Sequence, residues 1–339
     1  MVSLRRFVIH GWVLSAVLFG TSCANAETLT LMSGGASKLI YLPVTLASRL
    51  GYFRSEGLDV QILSVPAGID TSTELIAGAI QGAVGYYDHT IDLQSRGEDV
   101  EAVVIFGRSA GVAALASTKA EGRIRTMADA EGRKLGVTGF GASTWFLSRY
   151  LMRGAGVAPN AYTVVPLDSD RRFVDAMTNG TVDVGVIEEP TASRLISAGV
   201  AYVVVDMRTV EGTNAVLGGN YAGACLYLQR NWVSVHQDET RRLVRALVRA
   251  LAFISTHSAG DIAAILPGDF IGTRESQYVK ALSESIPSFS RDGRMPDGAP
   301  QTVLGVLAAV DPTISAQHVD LSRTYTNLFV DRANIDRSR

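Results

Sequence analysis

Residues 138–144 read Thr-Gly-Phe-Gly-Ala-Ser-Thr. Two closely spaced glycines between an apolar run and a helix-like stretch resemble the start of a nucleotide-binding turn. The dinucleotide fingerprint G-x-G-x-x-G needs a third glycine for close helix–strand packing. Thr144 stands there instead. A turn that opens a helix has other chemistry to offer. The first amides of the helix lack intrahelical partners, and the dipole presents its positive end, so an anion is favoured. Gly139 and Gly141 let the backbone approach a ligand closely, and Ser143 and Thr144 add hydroxyl donors. The competing reading is a simple N-cap, with Ser143 satisfying its own helix. Both can hold at once.

Other reactive groups are sparse. The chain contains no G-x-S-x-G, H-E-x-x-H, C-x-x-C or G-x-x-x-x-G-K-[ST] pattern. His89, His236, His257 and His318 are scattered, without metal-ligand spacing. Glu188 and Glu189 end an apolar run. Neighbouring strand residues face opposite ways, so the two carboxylates make a poor acid/base pair. No catalytic residue, metal or cofactor is therefore expected. A site assembled from distant residues is the open alternative.

The elements that must position these residues follow from patterning. The first 26 residues carry Arg5 and Arg6, an apolar run to Gly20 and an Ala24-Asn25-Ala26 ending. They read as a secretory signal peptide, with a retained anchor as the alternative. Removing them takes away two arginines and no acid, leaving a formal charge of −4. That excludes the basic surplus of a nucleic-acid binder. Cys225 is then the only cysteine, so no internal disulfide forms. Strand-length apolar runs alternate with helical patterns along the rest, which predicts an α/β fold with largely parallel sheets. Gly78-Ala79-Ile80-Gln81 and Gly180-Thr181-Val182-Asp183 match in pattern at an offset of 102, and Gly97 and Gly199 keep it. Two similar lobes in succession are expected, joined near 107–112 and 218–225. A long amphipathic helix is read over 236–257, with Leu243, Leu247 and Leu251 on one stripe and four arginines off it.

Leu42-Pro43, Leu46-Ala47, Gly51-Tyr52-Phe53 and Glu56-Gly57-Leu58-Asp59-Val60 resemble the first helix and second strand of nitrate/taurine/aliphatic-sulfonate-type substrate-binding proteins. Thiamine-pyrimidine-precursor binding proteins share that superfamily. Gly136 to Thr138, Gly141 to Thr144, Gly180 to Asp183 and Pro190 resemble the second-lobe pattern. The resemblance implies a type II periplasmic binding-protein fold, two α/β lobes around a ligand cleft. It also implies a monomer in the periplasm, serving the permease and ATPase of an ABC importer. The implied division is 27–109 for the first part of lobe I, 110–232 for lobe II, and 233–339 for C-terminal helices completing lobe I. Gln81 departs from the usual aspartate. Tyr86 to Thr90 and Ile40-Tyr41-Leu42-Pro43 resemble a subgroup near importers of aromatic carboxylates.

Open α/β sheets bind ligands at the carboxyl ends of their strands. Four turns qualify: 33–38, 87–90, 139–145 and 188–191. The ligand-binding candidates on or beside them are Lys38, Tyr41, Tyr87, His89, Arg108, Gly139, Gly141, Ser143, Thr144, Trp145 and Glu188. Lys38 or Arg108 would charge-balance an anion. Tyr41, Tyr87, Phe140 and Trp145 would flank a flat ligand, against a packing role for each. His89 would donate to a carboxylate, or simply be a satisfied polar residue. The expected ligand is a small organic anion, a sulfonate or an aromatic carboxylate. A thiamine-pyrimidine precursor, a secreted enzyme of the same fold and a sensory partner are the alternatives.

Overall fold

The computed structural model describes residues 28–315 and 318–337; the signal-peptide reading at 1–26 lies outside them. The apolar runs form ten strands in two sheets. The first holds β1 (Leu29–Ser33), β2 (Val60–Ser64), β3 (Gly82–Tyr86) and β4 (Val100–Ile105). The second holds β5 (Val112–Ser117), β6 (Lys134–Val137), β7 (Thr163–Pro166), β8 (Val184–Glu188) and β9 (Ala201–Met207). A last strand, β10 (Ala224–Gln229), returns to the first sheet, giving β2-β1-β3-β10-β4 against β7-β6-β8-β5-β9. In each sheet three strands run parallel, and the fourth in spatial order is antiparallel to both of its neighbours. The repeated topology accounts for the sequence echo. Gly78 and Gly180 both follow helices with φ near +70°, at 74° and 72°, a backbone that favours glycine.

The expected lobe boundary at 232 is corrected by β10. This strand falls within 110–232, yet it hydrogen-bonds between β3 and β4. A buried apolar run carries no label for the sheet it joins. The strands β5 and β9 also escaped the sequence reading, although every β5 residue is buried. The helix read over 236–257 runs from Gln237 to Thr256.

That helix explains the glutamate of the Gly51–Val60 string. Leu243, Leu247 and Leu251 are fully buried. On the other face, Arg245 donates to Glu56 at 2.7 Å, and Arg249 lies 3.5 Å from it. Glu56 thus clamps the C-terminal region onto the first lobe, while Arg241 and Arg242 pair with Asp238. The basic face is a bonded one rather than an unpaired membrane-binding stripe. Among the described residues, no helix is long and apolar enough to cross a membrane. The Ala299–Val310 helix packs on both the Asp88–Ser95 helix and the Ser143–Gly154 helix, so the C-terminal region touches both lobes.

The chain crosses between sheets through residues 106–111 and 208–223. The crossings touch each other closely: Gly223 donates its amide to the Gly107 carbonyl at 3.0 Å. A Cβ on Gly223 would fall 2.3 Å from the Ser109 carbonyl oxygen. Gly223→Ala is therefore expected to cost about 1–3 kcal/mol, the usual range for overpacking, and to lower Tm by several degrees in a thermal melt. An unchanged melting curve would mean that the crossings separate without cost.

Candidate functional site

The carboxyl ends of β1, β3, β6 and β8 converge between the two sheets. Each leads into a turn, and the turns touch across the gap. Lys38 Nζ lies 3.5 Å from Glu188 Oε1, and the Leu39 amide donates to the Glu189 carbonyl at 2.9 Å. Ser143 Oγ donates to Asp88 Oδ1 at 2.8 Å. Side chains at Gly139 and Gly141 would meet Ala67 and Ile69 of the first lobe at 3.6 Å. The glycine-rich turn is thus one wall of an interlobe seam.

The seam is polar and buried. Asp88 is fully buried, and Ser143 is the one side chain that donates to it. Among the described residues, six buried side-chain atoms on these turns and beside them have no partner: Ser33 Oγ, Asp88 Oδ2, His89 Nε2, Glu188 Oε2, Thr191 Oγ1 and Tyr221 OH. Leaving such an atom unpaired costs about 1–3 kcal/mol. Burial pushes the Asp88 carboxyl up to about 7, against the lowering effect of the Ser143 hydroxyl and the His89 amide. Burial pushes His89 down to about 4, partly opposed by Asp92. The imidazole is therefore neutral at pH 7, and its 3.8 Å approach to Asp88 is not an ion pair. Its Nδ1 faces Tyr227 OH at 3.4 Å.

The local sequence sets this geometry. Asp88, Ser143 and Thr191 each begin a helix as its first residue, and Gly68 begins another. The positive ends of these helices therefore gather at the seam. Gly68 is needed there because a Cβ would press to 2.9 Å from His89 Cε1 and 3.3 Å from the Tyr41 hydroxyl. Glu188 and Glu189 point opposite ways: Glu188 is the last residue of β8, and Glu189 begins the turn after it. Glu188 faces Lys38, while Glu189 accepts from Arg208 Nη1 at 2.6 Å.

Of the sequence candidates, Lys38, Tyr41, His89, Gly139, Gly141, Ser143 and Glu188 come together at this seam. Lys38 is 4% exposed, against the surface position that its type suggests. Four candidates lie elsewhere. Tyr87 turns away from the seam: its hydroxyl bonds to Thr324, and its ring packs edge-on against Tyr325. The strand ends at Tyr86, which faces Tyr41, and Tyr87 already has a helical backbone with φ −64° and ψ −30°, which turns its side chain the other way. Arg108 sits at the crossing, donating to the Pro287 carbonyl at 3.0 Å. Trp145 packs on Phe146 and carries the Arg149 guanidinium 4.5 Å over its ring, on the flank of its own helix. Thr144 is buried but spent: its hydroxyl accepts the Thr138 amide at 3.0 Å and bonds the Thr138 hydroxyl at 2.8 Å, tying the turn to itself. The N-cap reading of Ser143 is also corrected. Ala142 is the N-cap, which frees the Ser143 hydroxyl to reach across the seam. Phe140 is 59% exposed.

Sequence reasoning passed over Asp88, Ser33, Thr191, Tyr221 and Tyr227. The first three lie on the turns named as ligand positions. Asp88 was hidden by its more conspicuous neighbour His89, and by a helix that starts three residues earlier than its apolar pattern. Tyr221 and Tyr227 had no signal, because they reach the seam only through the return of β10 to the first sheet. Beside the seam a groove of about 720 Å³ runs between the Thr191–Ser197 and Glu275–Ser285 helices. Ser37 and Thr191 line it, so it adjoins the buried atoms.

The same architecture occurs in solved proteins. A structure from Bordetella bronchiseptica RB50 is 29% identical, with a TM-score of 0.87 over 92% of this chain and 98% of that one. The periplasmic nitrate-binding protein NrtA from Synechocystis PCC 6803 is 13% identical, with a TM-score of 0.72 over 92% and 89%. The desulfurization enzyme DSZB aligns at 15% identity and a TM-score of 0.57 over 92% and 99%, so the fold also carries an enzyme. The fold is that of periplasmic binding proteins, as the resemblance implied. The model of the NMT1/THI5-like family matches residues 40–259, and with well over half of the chain inside that match, this protein belongs to the NMT1/THI5-like family.

Proposed function

We propose that the chain is the solute-binding component of an ABC importer, working as a periplasmic monomer that closes its two lobes on a small organic anion. The observation that carries this reading is the set of six unpartnered buried polar atoms at the seam. Native interiors seldom leave such groups unsatisfied, and a bound solute would supply their partners. The ends of the Gly68–Ile76, Asp88–Ser95 and Ser143–Gly154 helices favour negative charge at the seam, and Lys38 adds a formal cation there. Tyr41, Tyr221 and Tyr227 offer ring faces and edges that suit an aromatic carboxylate or sulfonate. A permease and an ATPase would receive the solute.

A neutral pyrimidine is the second reading. One observation favours it: Asp88 Oδ2 and Glu188 Oε2 are open acceptors, and a ring amino group would satisfy them. Binding is preferred to catalysis because, among the described residues of the seam, no serine or cysteine is bonded to the imidazole; His89 Nδ1 faces a phenol, and its Nε2 has no partner.

The test is a thermal-shift screen of the protein without residues 1–26 against aliphatic sulfonates, aromatic carboxylates and pyrimidines. A true ligand raises stability by RT ln(1 + [L]/Kd), about 2.7 kcal/mol at a hundredfold excess over Kd. An anion is expected to do so. If no small solute shifts the melt, the importer reading fails. Two substitutions then separate seam from scaffold. Thr191→Val is expected to weaken the identified ligand by roughly tenfold, the loss of one hydrogen bond. Tyr87→Phe is expected to lower Tm by removing the Thr324 bond while leaving Kd within about twofold, because its hydroxyl faces away from the seam. Isothermal titration of both variants checks this pair; equal losses in both would dissolve the distinction.

A further inference from the structure

Closing the lobes puts two carboxyl groups and one ammonium group into the same buried seam. Lys38 is already matched to Glu188. Among the described residues Asp88 has no cation: the groups facing it are neutral His89 and Ser143, with the phenols of Tyr41, Tyr86, Tyr221 and Tyr227 and the Cys225 thiol around it. Asp92, on its own helix, is held by Arg96 at 2.8 Å. An ionised Asp88 would leave the seam with net charge −1 before any ligand arrived. An acidic ligand would then meet a like charge at close range in a low-dielectric site. A neutral Asp88 removes the conflict and turns its free oxygen from an acceptor into a donor.

We infer that Asp88 sets which ligands the cleft accepts, entering the closed state as a neutral carboxyl group and donating the proton on Oδ2 to an acidic group of the ligand. This rests on the reading of the seam as the ligand site. Ser143 donates to Oδ1, which leaves Oδ2 as the oxygen that carries the proton. The proton balance is simple. In the open state Asp88 is hydrated and ionised at neutral pH; on closure it takes one proton from water, and that proton stays shared with the ligand. The carboxyl that burial holds near 7 in the closed state titrates near its ordinary value when open. Closure is therefore favoured in acid, and its advantage is lost as pH rises through 7.

The experiment measures Kd by titration calorimetry at pH 5.5 and pH 8 for two probes of matched shape and fixed charge, benzenesulfonate and benzamidinium. Benzenesulfonate is expected to bind roughly tenfold tighter at pH 5.5, and to bind better than benzamidinium at both values. Asp88→Asn keeps a donor and cannot ionise, so its benzenesulfonate affinity should no longer depend on pH. Ser143→Ala removes a hydrogen bond that favours the ionised form, so the midpoint of the dependence should move to higher pH. Benzenesulfonate affinity that is flat with pH in the wild type, or equally pH-dependent in Asp88→Asn, overturns the inference while leaving a solute-binding protein. Preference for benzamidinium, strengthening at pH 8, overturns it in favour of an ionised Asp88 that accepts from a donor-bearing ligand. Failure of both probes, together with the whole screening panel, removes the importer reading as well.

Discussion

Closing two lobes over Asp88 takes a carboxyl group out of water, and the protein returns one side-chain hydrogen bond, from Ser143 across the seam. Everything else about the interlobe region follows from that shortfall. Burying a polar group without a partner is costly, and in the proposed reading a solute entering the seam offsets that cost. Five further unpartnered atoms, on elements from both lobes, make the same demand. A substrate-binding protein needs this property: its closed form should be poor when empty and good when loaded.

The scaffold makes the demand enforceable. Two sheets of the same strand order present the carboxyl ends of their parallel strands to one another. The crossings meet at Gly107 and Gly223, where an amide–carbonyl bond and the absence of a side chain hold them close. The C-terminal helix clamped by Glu56 extends the first lobe, and the Ala299–Val310 helix reaches the second. The turns at the seam are thus supported from behind by packed elements, which hold Asp88, Ser143 and Glu188 in register.

Much of this was legible in the sequence. The alternation of strand-length runs with helical patterns gave the α/β class, and the glycine offsets gave the duplication. The rule that ligands sit at strand ends picked out turns that do converge. The failures were ones of direction. Tyr86 and Tyr87 are adjacent, but the strand ends at Tyr86, and where it ends decides which ring faces the seam. Thr144 looks like a donor until its bond to Thr138 shows that it is used locally. Ser143 looks like a cap until the helix is seen to start one residue earlier than a serine cap requires. Tyr221 and Tyr227 enter the site through a strand that changes sheet, a long-range pairing that local patterning does not encode. Glu56 was legible as part of a string, but its purpose became clear only with Arg245 beside it.

The most direct test of the central claim is a crystal structure of the protein grown with the solute that shifts its melt. Ligand density between the lobes, within 3.2 Å of Asp88 Oδ2 and of at least one other unpartnered atom such as Thr191 Oγ1 or Tyr221 OH, is the predicted result. Ligand seated only in the outer groove between the Thr191–Ser197 and Glu275–Ser285 helices, with the seam still closed on itself, would contradict the account.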